Sequence, residues 1–253
     1  MAREVAEQPA VFDRILTEGL PTIRKVAEHV QAKRPRFVAL TARGTSDNAA
    51  YYAKYLIEVL LGLPVGLTSM STNTLYESKI DYTDVLCLTV SQSGASADLV
   101  QYTRAARKAG AITVAVTNAA DSPVNEASEF AIDVLAGSEV AQPATKSYTA
   151  ELLTLYLLAD ALRGGDGKEA ADVPARAAAL LDRRAEIAQW AVRYRFARNL
   201  MMIARGFAFP TALEATWKIM ETSYLEAHAY SSADLMHGPI ALVDNLSPVI
   251  ALT

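Results

Sequence analysis

The chain has 253 residues, 51% of them apolar and 21% charged, which describes an ordinary globular protein with room for one large or two small cores. A net charge of -4 supplies no general field for nucleic acid, so any anion site has to be local. The single cysteine, Cys87, excludes a disulfide framework within the chain, and no stretch has the apolar length of a signal segment or a membrane span, so a cytoplasmic protein without a membrane partner is expected. Over residues 11–31, Val11, Ile15, Leu16, Leu20, Ile23 and Val26 recur at helical spacing, and two proline-flanked breaks set residues 1–34 apart as a leading helical arm. Apolar runs and amphipathic helices then alternate: strand 36–42, helix 47–61, strand 65–68, strand 85–91, helix 96–109, strand 112–117, a weaker strand 130–135 and a long helix 145–162. Such alternation means βαβ units, and unbroken apolar runs such as 85–90 suit a parallel sheet covered on both faces.

Glycines and charges replace apolar residues at Arg163-Gly164-Gly165-Asp166-Gly167-Lys168, so a first subdomain is read over 35–165 and a second part, opening with a helical connector, over 166–253. The pattern restarts with a strand over 200–204, a turn at Gly206 and another helix, and a further buried strand is read over 248–253. A parallel strand normally feeds a crossover helix that covers it, so the second subdomain is expected to be incomplete at its C-terminus.

Ligands of open α/β sheets sit at the carboxyl ends of the strands. Hydroxyl-bearing residues gather at Arg43-Gly44-Thr45-Ser46-Asp47, at Ser91-Gln92-Ser93-Gly94-Ala95-Ser96 and at Thr145-Lys146-Ser147, each before a helix. A helix start offers unpaired N–H groups and the positive end of a dipole, enough to hold a phosphate without a basic patch. The competing reading is a plain N-cap, for which one Ser or Thr suffices. Neither Gly-x-x-x-x-Gly-Lys-Ser/Thr nor Gly-x-Gly-x-x-Gly occurs, and no His, Cys or carboxylate spacing suits a metal, so no cofactor or metal is expected.

The helix that follows Gly206 is apolar except for one stripe. Glu214 and Lys218 are i,i+4 neighbours and Lys218 and Glu221 are i,i+3, so the charges lie along a single line. Two readings compete: a solvated ion-pair ladder, or carboxylates and an amine turned into a shielded pocket. His237, in His237-Gly238-Pro239, is by itself either a loop residue or a catalyst.

Together these residues resemble the sugar isomerase (SIS) family, above all the isomerase half of the glutamine-fructose-6-phosphate aminotransferases. The resemblance runs through Glu7-Gln8-Pro9, Gly44-Thr45-Ser46, Ser91-Gln92-Ser93-Gly94, Thr145-Lys146-Ser147-Tyr148-Thr149, Ala212-Leu213-Glu214, Lys218, Glu221-Thr222-Ser223-Tyr224, Ala229-Tyr230 and His237-Gly238-Pro239. It implies an α/β fold of tandem SIS subdomains, each a parallel sheet with flanking helices, and a homodimer. It also implies that Thr45, Ser46, Ser91, Gln92, Ser93 and Ser96 bind the phosphate and hydroxyls of a small-molecule sugar phosphate. Glu221 would carry a proton between C1 and C2, Lys218 and Glu214 would orient the base and the sugar oxygens, and His237 would assist ring opening from the neighbouring subunit.

Where the family usually reads Val-Ala-Ser, this chain has Gln142-Pro143-Ala144, so Gln142 joins the candidate ligand residues and the sugar specificity stays open. The family's glutaminase domain with its N-terminal nucleophilic cysteine has no counterpart in these residues, and the Schiff-base lysine of its C-terminal tail would lie beyond Thr253. Stand-alone proteins of this kind resemble deaminase/isomerases that convert glucosamine 6-phosphate to fructose 6-phosphate. A deglycase of fructosamine or glucosylamine 6-phosphates and a non-catalytic sugar-phosphate sensor are the alternatives.

Overall fold

The computed structural model describes residues 1–244 and 247–253, and the chain divides into two compact units, Met1–Ala175 and Arg176–Thr253. Unit one opens with helices α1 (Ala2–Arg14) and α2 (Leu20–Lys33), joined through a π-helical turn at Ile15–Gly19. The expected proline breaks do not occur. Pro9 lies inside α1, and Pro21 sits in the first turn of α2, where its missing N–H costs little. The wide turn just before Pro21 makes room for a ring that would otherwise press on the carbonyl four residues earlier. Nor do these helices stand apart as an arm: Val11, Phe12, Ile15, Ile23, Val26 and Val30 are buried within unit one.

The sheet of this unit contains β1 (Phe37–Ala42), β2 (Val65–Leu67), β3 (Val85–Ser91), β4 (Ile112–Thr117) and β5 (Phe130–Asp133). All five are parallel in the order β2-β1-β3-β4-β5. Between them run α3 (Thr45–Leu61), the single turn α4 (Ser71–Thr74), α5 (Ala97–Lys108) and the short α6 (Pro123–Ala127), and α7 (Lys146–Leu162) follows the last strand. From Leu86 to Ser91 every residue of β3 is buried, as a sheet covered on both faces requires. Cys87 and Ala115 pack with Leu99, Tyr102 and Ala106 of α5 and Val124 of α6. Burial pushes the Cys87 thiol up to about 12, so it is a small apolar filler and not a nucleophile.

The division between units falls in α8 (Val173–Asp182), after which come α9 (Arg184–Ala191), β6 (Asn199–Ala204), α10 (Ala208–Ser223), β7 (Glu226–Ser231), the turn α11 (Ser232–Leu235) and β8 (Val249–Ala251). β6, α10 and β7 form a parallel βαβ crossover, and β8 pairs on the other side of β6 to give the order β7-β6-β8. Leu200, Met202, Ala204 and Ala212 make the buried centre of this unit, with Phe209, Ile219 and Ile250 against it. Gly206, at φ 60, makes the turn into α10. The chain is thus an α/β protein with a five-stranded and a three-stranded parallel sheet. No described helix is long and apolar enough to cross a membrane.

Candidate functional site

The strand order 2-1-3-4-5 reverses direction between β1 and β3, and a crevice opens where their connections leave in opposite senses. Because Ala42 is level with Val90, the chain leaves β1 at Arg43 and β3 at Gln92 side by side. A cavity of about 200 Å³ lies there. Thr45 and Ser46 enter it from the first turn of α3, Ser91 from the end of β3, Gln92, Ser93 and Ser96 from the loop between β3 and α5, and Gln142 from the loop before α7. Those seven residues therefore line a single cavity, and of the segment Thr145-Lys146-Ser147 only Ser147 joins them. A larger groove of about 470 Å³, lined by Phe12, Tyr52, Leu152, Leu153 and Tyr156, is mainly apolar and lacks this convergence of hydroxyls.

The hydrogen bonds separate cavity-lining hydroxyls that cap no helix from plain caps. At α6, Ser122 is a working N-cap, its Oγ accepting from the Asn125 N–H at 3.3 Å. Ser96 occupies the same position on α5 in extended conformation, yet its side chain caps nothing. Gly44 is the cap residue of α3, at φ 63, so Thr45 and Ser46 lie inside the first turn and are not spent on capping. Ser91 Oγ accepts from the Gly94 N–H at 3.1 Å and Ser93 Oγ from the Ala95 N–H at 3.3 Å. Those two bonds fold the loop tightly around Gly94, whose φ of 59 favours glycine.

The third hydroxyl-rich segment behaves differently. The Glu139 carboxylate already caps α7: Oε1 accepts from the Thr145 and Lys146 N–H groups at 2.7 and 2.8 Å, and Oε2 accepts from Ser147 N–H and Oγ–H. A phosphate is not needed to satisfy that helix start, so the Thr145-Lys146-Ser147 segment serves as an internally capped support. Lys146, 3% exposed, reaches away to Glu7 Oε2 at 2.5 Å. Glu4 completes this tie between α1 and the loop, its Oε1 accepting from Val140 N–H at 2.6 Å and Ala141 N–H at 3.1 Å. The Met1 ammonium together with those amides holds the Glu4 carboxyl down to about 2. Gln142, next in sequence to Ala141, is thereby delivered to the cavity from a clamped backbone.

In unit two, the charged stripe of α10 forms an ion-pair ladder. Lys218 Nζ lies 3.2 Å from Glu214 Oε1 and 2.6 Å from Glu221 Oε2. Glu214 is buried while the Glu221 side chain is 43% exposed, so one end of the ladder is shielded and the other reaches solvent. The shielded pair contributes through the desolvated charge that would be left if Lys218 were lost, whereas the outer pair is worth only about 0.5 kcal/mol. His237 follows α11 on an exposed turn, with its N–H donating to Asp234 O at 2.9 Å, and its ring makes no hydrogen bond or ion pair with a described residue. No cluster of His, Cys, Asp and Glu suited to a metal ion occurs among the described residues.

Glu151 was not among the candidates, yet it lines the cavity and is 1% exposed, with Ser46 Oγ donating to its Oε1 at 2.8 Å. A sequence signal for it exists. The α7 helix is apolar on all sides, so it is buried, and the charges it carries, Lys146, Glu151 and Asp160, are all buried with it. Arg43 also lines the cavity, its guanidinium 2.8 Å from Asp98 Oδ2.

Comparison with known proteins places this geometry in context. The SIS domain model matches residues 32–161 and 194–253. Over its whole length the chain is 32% identical to glutamine–fructose-6-phosphate aminotransferase of Chlorobaculum tepidum and 33% identical to that of Thermus thermophilus, and it spans 44% of each relative's length. Among solved structures, a provisionally assigned phosphosugar isomerase from Silicibacter pomeroyi superposes with a TM-score of 0.93 at 36% identity, over 99% of this chain and 77% of that one. The C-terminal domain of glucosamine-fructose-6-phosphate aminotransferase from Francisella tularensis superposes with a TM-score of 0.85 at 26% identity, over 98% and 74%.

Proposed function

The chain belongs to the SIS domain family, and we propose that it is an amino-sugar-phosphate isomerase/deaminase that binds its substrate's phosphate in the cavity between β1 and β3. The observation that carries this reading is the convergence of Thr45, Ser46, Ser91, Gln92, Ser93 and Ser96 on that cavity, with the Ser96 hydroxyl left unused by its own helix. Backbone N–H groups at the start of α5 and the hydroxyls of Ser91, Ser93 and Ser96 suit a phosphate, and the net charge of -4 then presents no obstacle.

In the proposed chemistry, opening the sugar ring of glucosamine 6-phosphate frees an aldehyde at C1, and His237 assists that step. Glu221 takes the proton from C2 and returns it to C1 while an N–H proton of the amine passes to O1, so that the C1 aldehyde becomes a hydroxymethyl group and the C2 amine an imine. Water adds to the imine carbon and ammonia leaves, giving fructose 6-phosphate. A carboxylate that ferries a proton in this way contributes a factor of about 10² to 10⁴. Lys218, 2.6 Å from Glu221 and 3.2 Å from Glu214, fixes the orientation of the base. A cytoplasmic homodimer is part of the same proposal.

A panel of hexose phosphates and amino-sugar phosphates in thermal shift, followed by an ammonia-release assay, tests it. Glucosamine 6-phosphate is expected to stabilise the protein and to release ammonia, with Glu221→Gln lowering turnover at least about tenfold and leaving binding nearly intact. Stabilisation by a ligand without ammonia from any of them would replace the enzyme by a sensor. Gln142 in the cavity wall favours a second reading, a deglycase of fructosamine 6-phosphates, which ammonia-free release of an amino acid from such a substrate would support.

A further inference from the structure

An ion pair ties the loop after β1 to the start of α5. Arg43 follows β1 directly, and its Nε donates to Asp98 Oδ2 at 2.8 Å. Asp98 lies in the first turn of α5, two residues after Ser96, so the guanidinium is carried to the helix start where the Ser96 hydroxyl lies. Arg43 itself lines the cavity, and its side chain is 55% exposed. Among the described residues Arg43 makes its hydrogen bond from Nε and none from Nη, which leaves the two Nη groups as donors for a ligand. Desolvation raises the carboxyl of Asp47, in the first turn of α3, and the nearby Arg43 opposes that shift.

Hydroxyls and backbone N–H groups donate to an oxyanion with little regard for how many charges it carries. A guanidinium, which stays ionised in proteins, adds a Coulomb attraction that grows with the charge of the ligand. We infer that Arg43 is a specificity-determining residue: held against α5 by Asp98, it turns its Nη groups to the phosphate and makes the cavity prefer doubly charged phosphate esters over singly charged oxyanions of the same shape. The inference rests on reading this cavity as the sugar-phosphate site. Asp98 is a positioning residue in this arrangement. It does not cancel the preference, because a ligand on the Nη edge lies nearer the guanidinium than the carboxylate bound at Nε.

The test compares glucose 6-phosphate with glucose 6-sulfate by calorimetry on the full chain; neither carries the amine that the proposed reaction releases. At about pH 8 the phosphate ester bears two charges and the sulfate ester one. Wild type is expected to prefer the phosphate at least about tenfold. Arg43→Gln should weaken the phosphate at least about tenfold and the sulfate only about threefold, so that the preference narrows at least about threefold. A smaller change in that preference, equal loss of both ligands included, overturns the inference while leaving the sugar-phosphate reading in place. Failure of both ligands to bind wild type overturns that reading and the inference together. Arg43→Lys keeps the charge and should hold the preference within about twofold of wild type; a loss as large as that of Arg43→Gln contradicts the inference. Should Arg43→Gln not fold, phenylglyoxal labelling of wild type with peptide mapping reads the same contact. Glucose 6-phosphate should slow the modification of Arg43 at least about threefold relative to glucose, and equal rates contradict the inference.

Discussion

Gly94 shows how closely single residues define the cavity. A Cβ added there would sit 2.1 Å from Ser122 Oγ and 2.4 Å from Ser122 Cβ, and the backbone is in the left-handed region besides. Ser122 cannot yield without giving up its cap on α6. Replacement Gly94→Ala is expected to cost about 2 to 4 kcal/mol of stability, from strain and overpacking together, and to loosen the loop that carries Ser91, Gln92 and Ser93. Chemical denaturation measures the first effect, and a change below about 0.5 kcal/mol would contradict it. At this scale the sequence disclosed the hydroxyls and the charged stripe of α10 but not Glu151. The signal used for α10, a few charges on an apolar helix, is equally present on α7, where its application would have singled out Glu151. What spacing cannot disclose is which serine caps its helix and which does not: Ser96 and Ser122 look alike in sequence and differ in their hydrogen bonds.

Among the elements, the tie between α1 and the loop before α7 has a pH signature. The Glu4 carboxyl is held below its ordinary 4.5, at about 2, so folding benefits from its ionised form above pH 4.5 and loses that benefit as the pH falls towards 2. Amide exchange at Val140 and Ala141 is expected to accelerate, relative to the sheet, over that acid window. In Glu4→Ala, which removes the acceptor oxygens, the same amides should be loose already at pH 7, with no further change on acidification. Equal protection in both proteins at pH 7 would show that the clamp holds nothing. None of this tie could be read from periodicity, since Glu4 and Val140 are brought together only by the fold. The buried strands were easier. Over 85–91 and 112–117 the predicted and observed bounds coincide, because unbroken apolar runs leave no other assignment. β7 escaped notice because Glu226, Ala227, His228 and Ala229 alternate polar residues with alanines, a weak strand pattern that its place beside β6 overrides.

On the scale of the whole molecule, each of two parallel sheets carries its own group of candidate residues. The five-stranded sheet supplies a switch point, and its order explains why loops that lie far apart in the chain, after β1 and after β3, meet at one cavity. The three-stranded sheet positions α10 with its charged ladder. A phosphate seated in the cavity of the first unit is the premise of the proposed function. Substitution of Ser96 by aspartate tests that claim with little disturbance of the fold, because aspartate is as good an N-cap as serine and its charge suits a helix N-terminus. Calorimetric titration of Ser96→Asp and wild type with fructose 6-phosphate is the decisive measurement. The account predicts an unchanged melting temperature and an affinity reduced at least about fiftyfold by the carboxylate placed in the phosphate's seat; an affinity equal to wild type in a folded Ser96→Asp protein would contradict it.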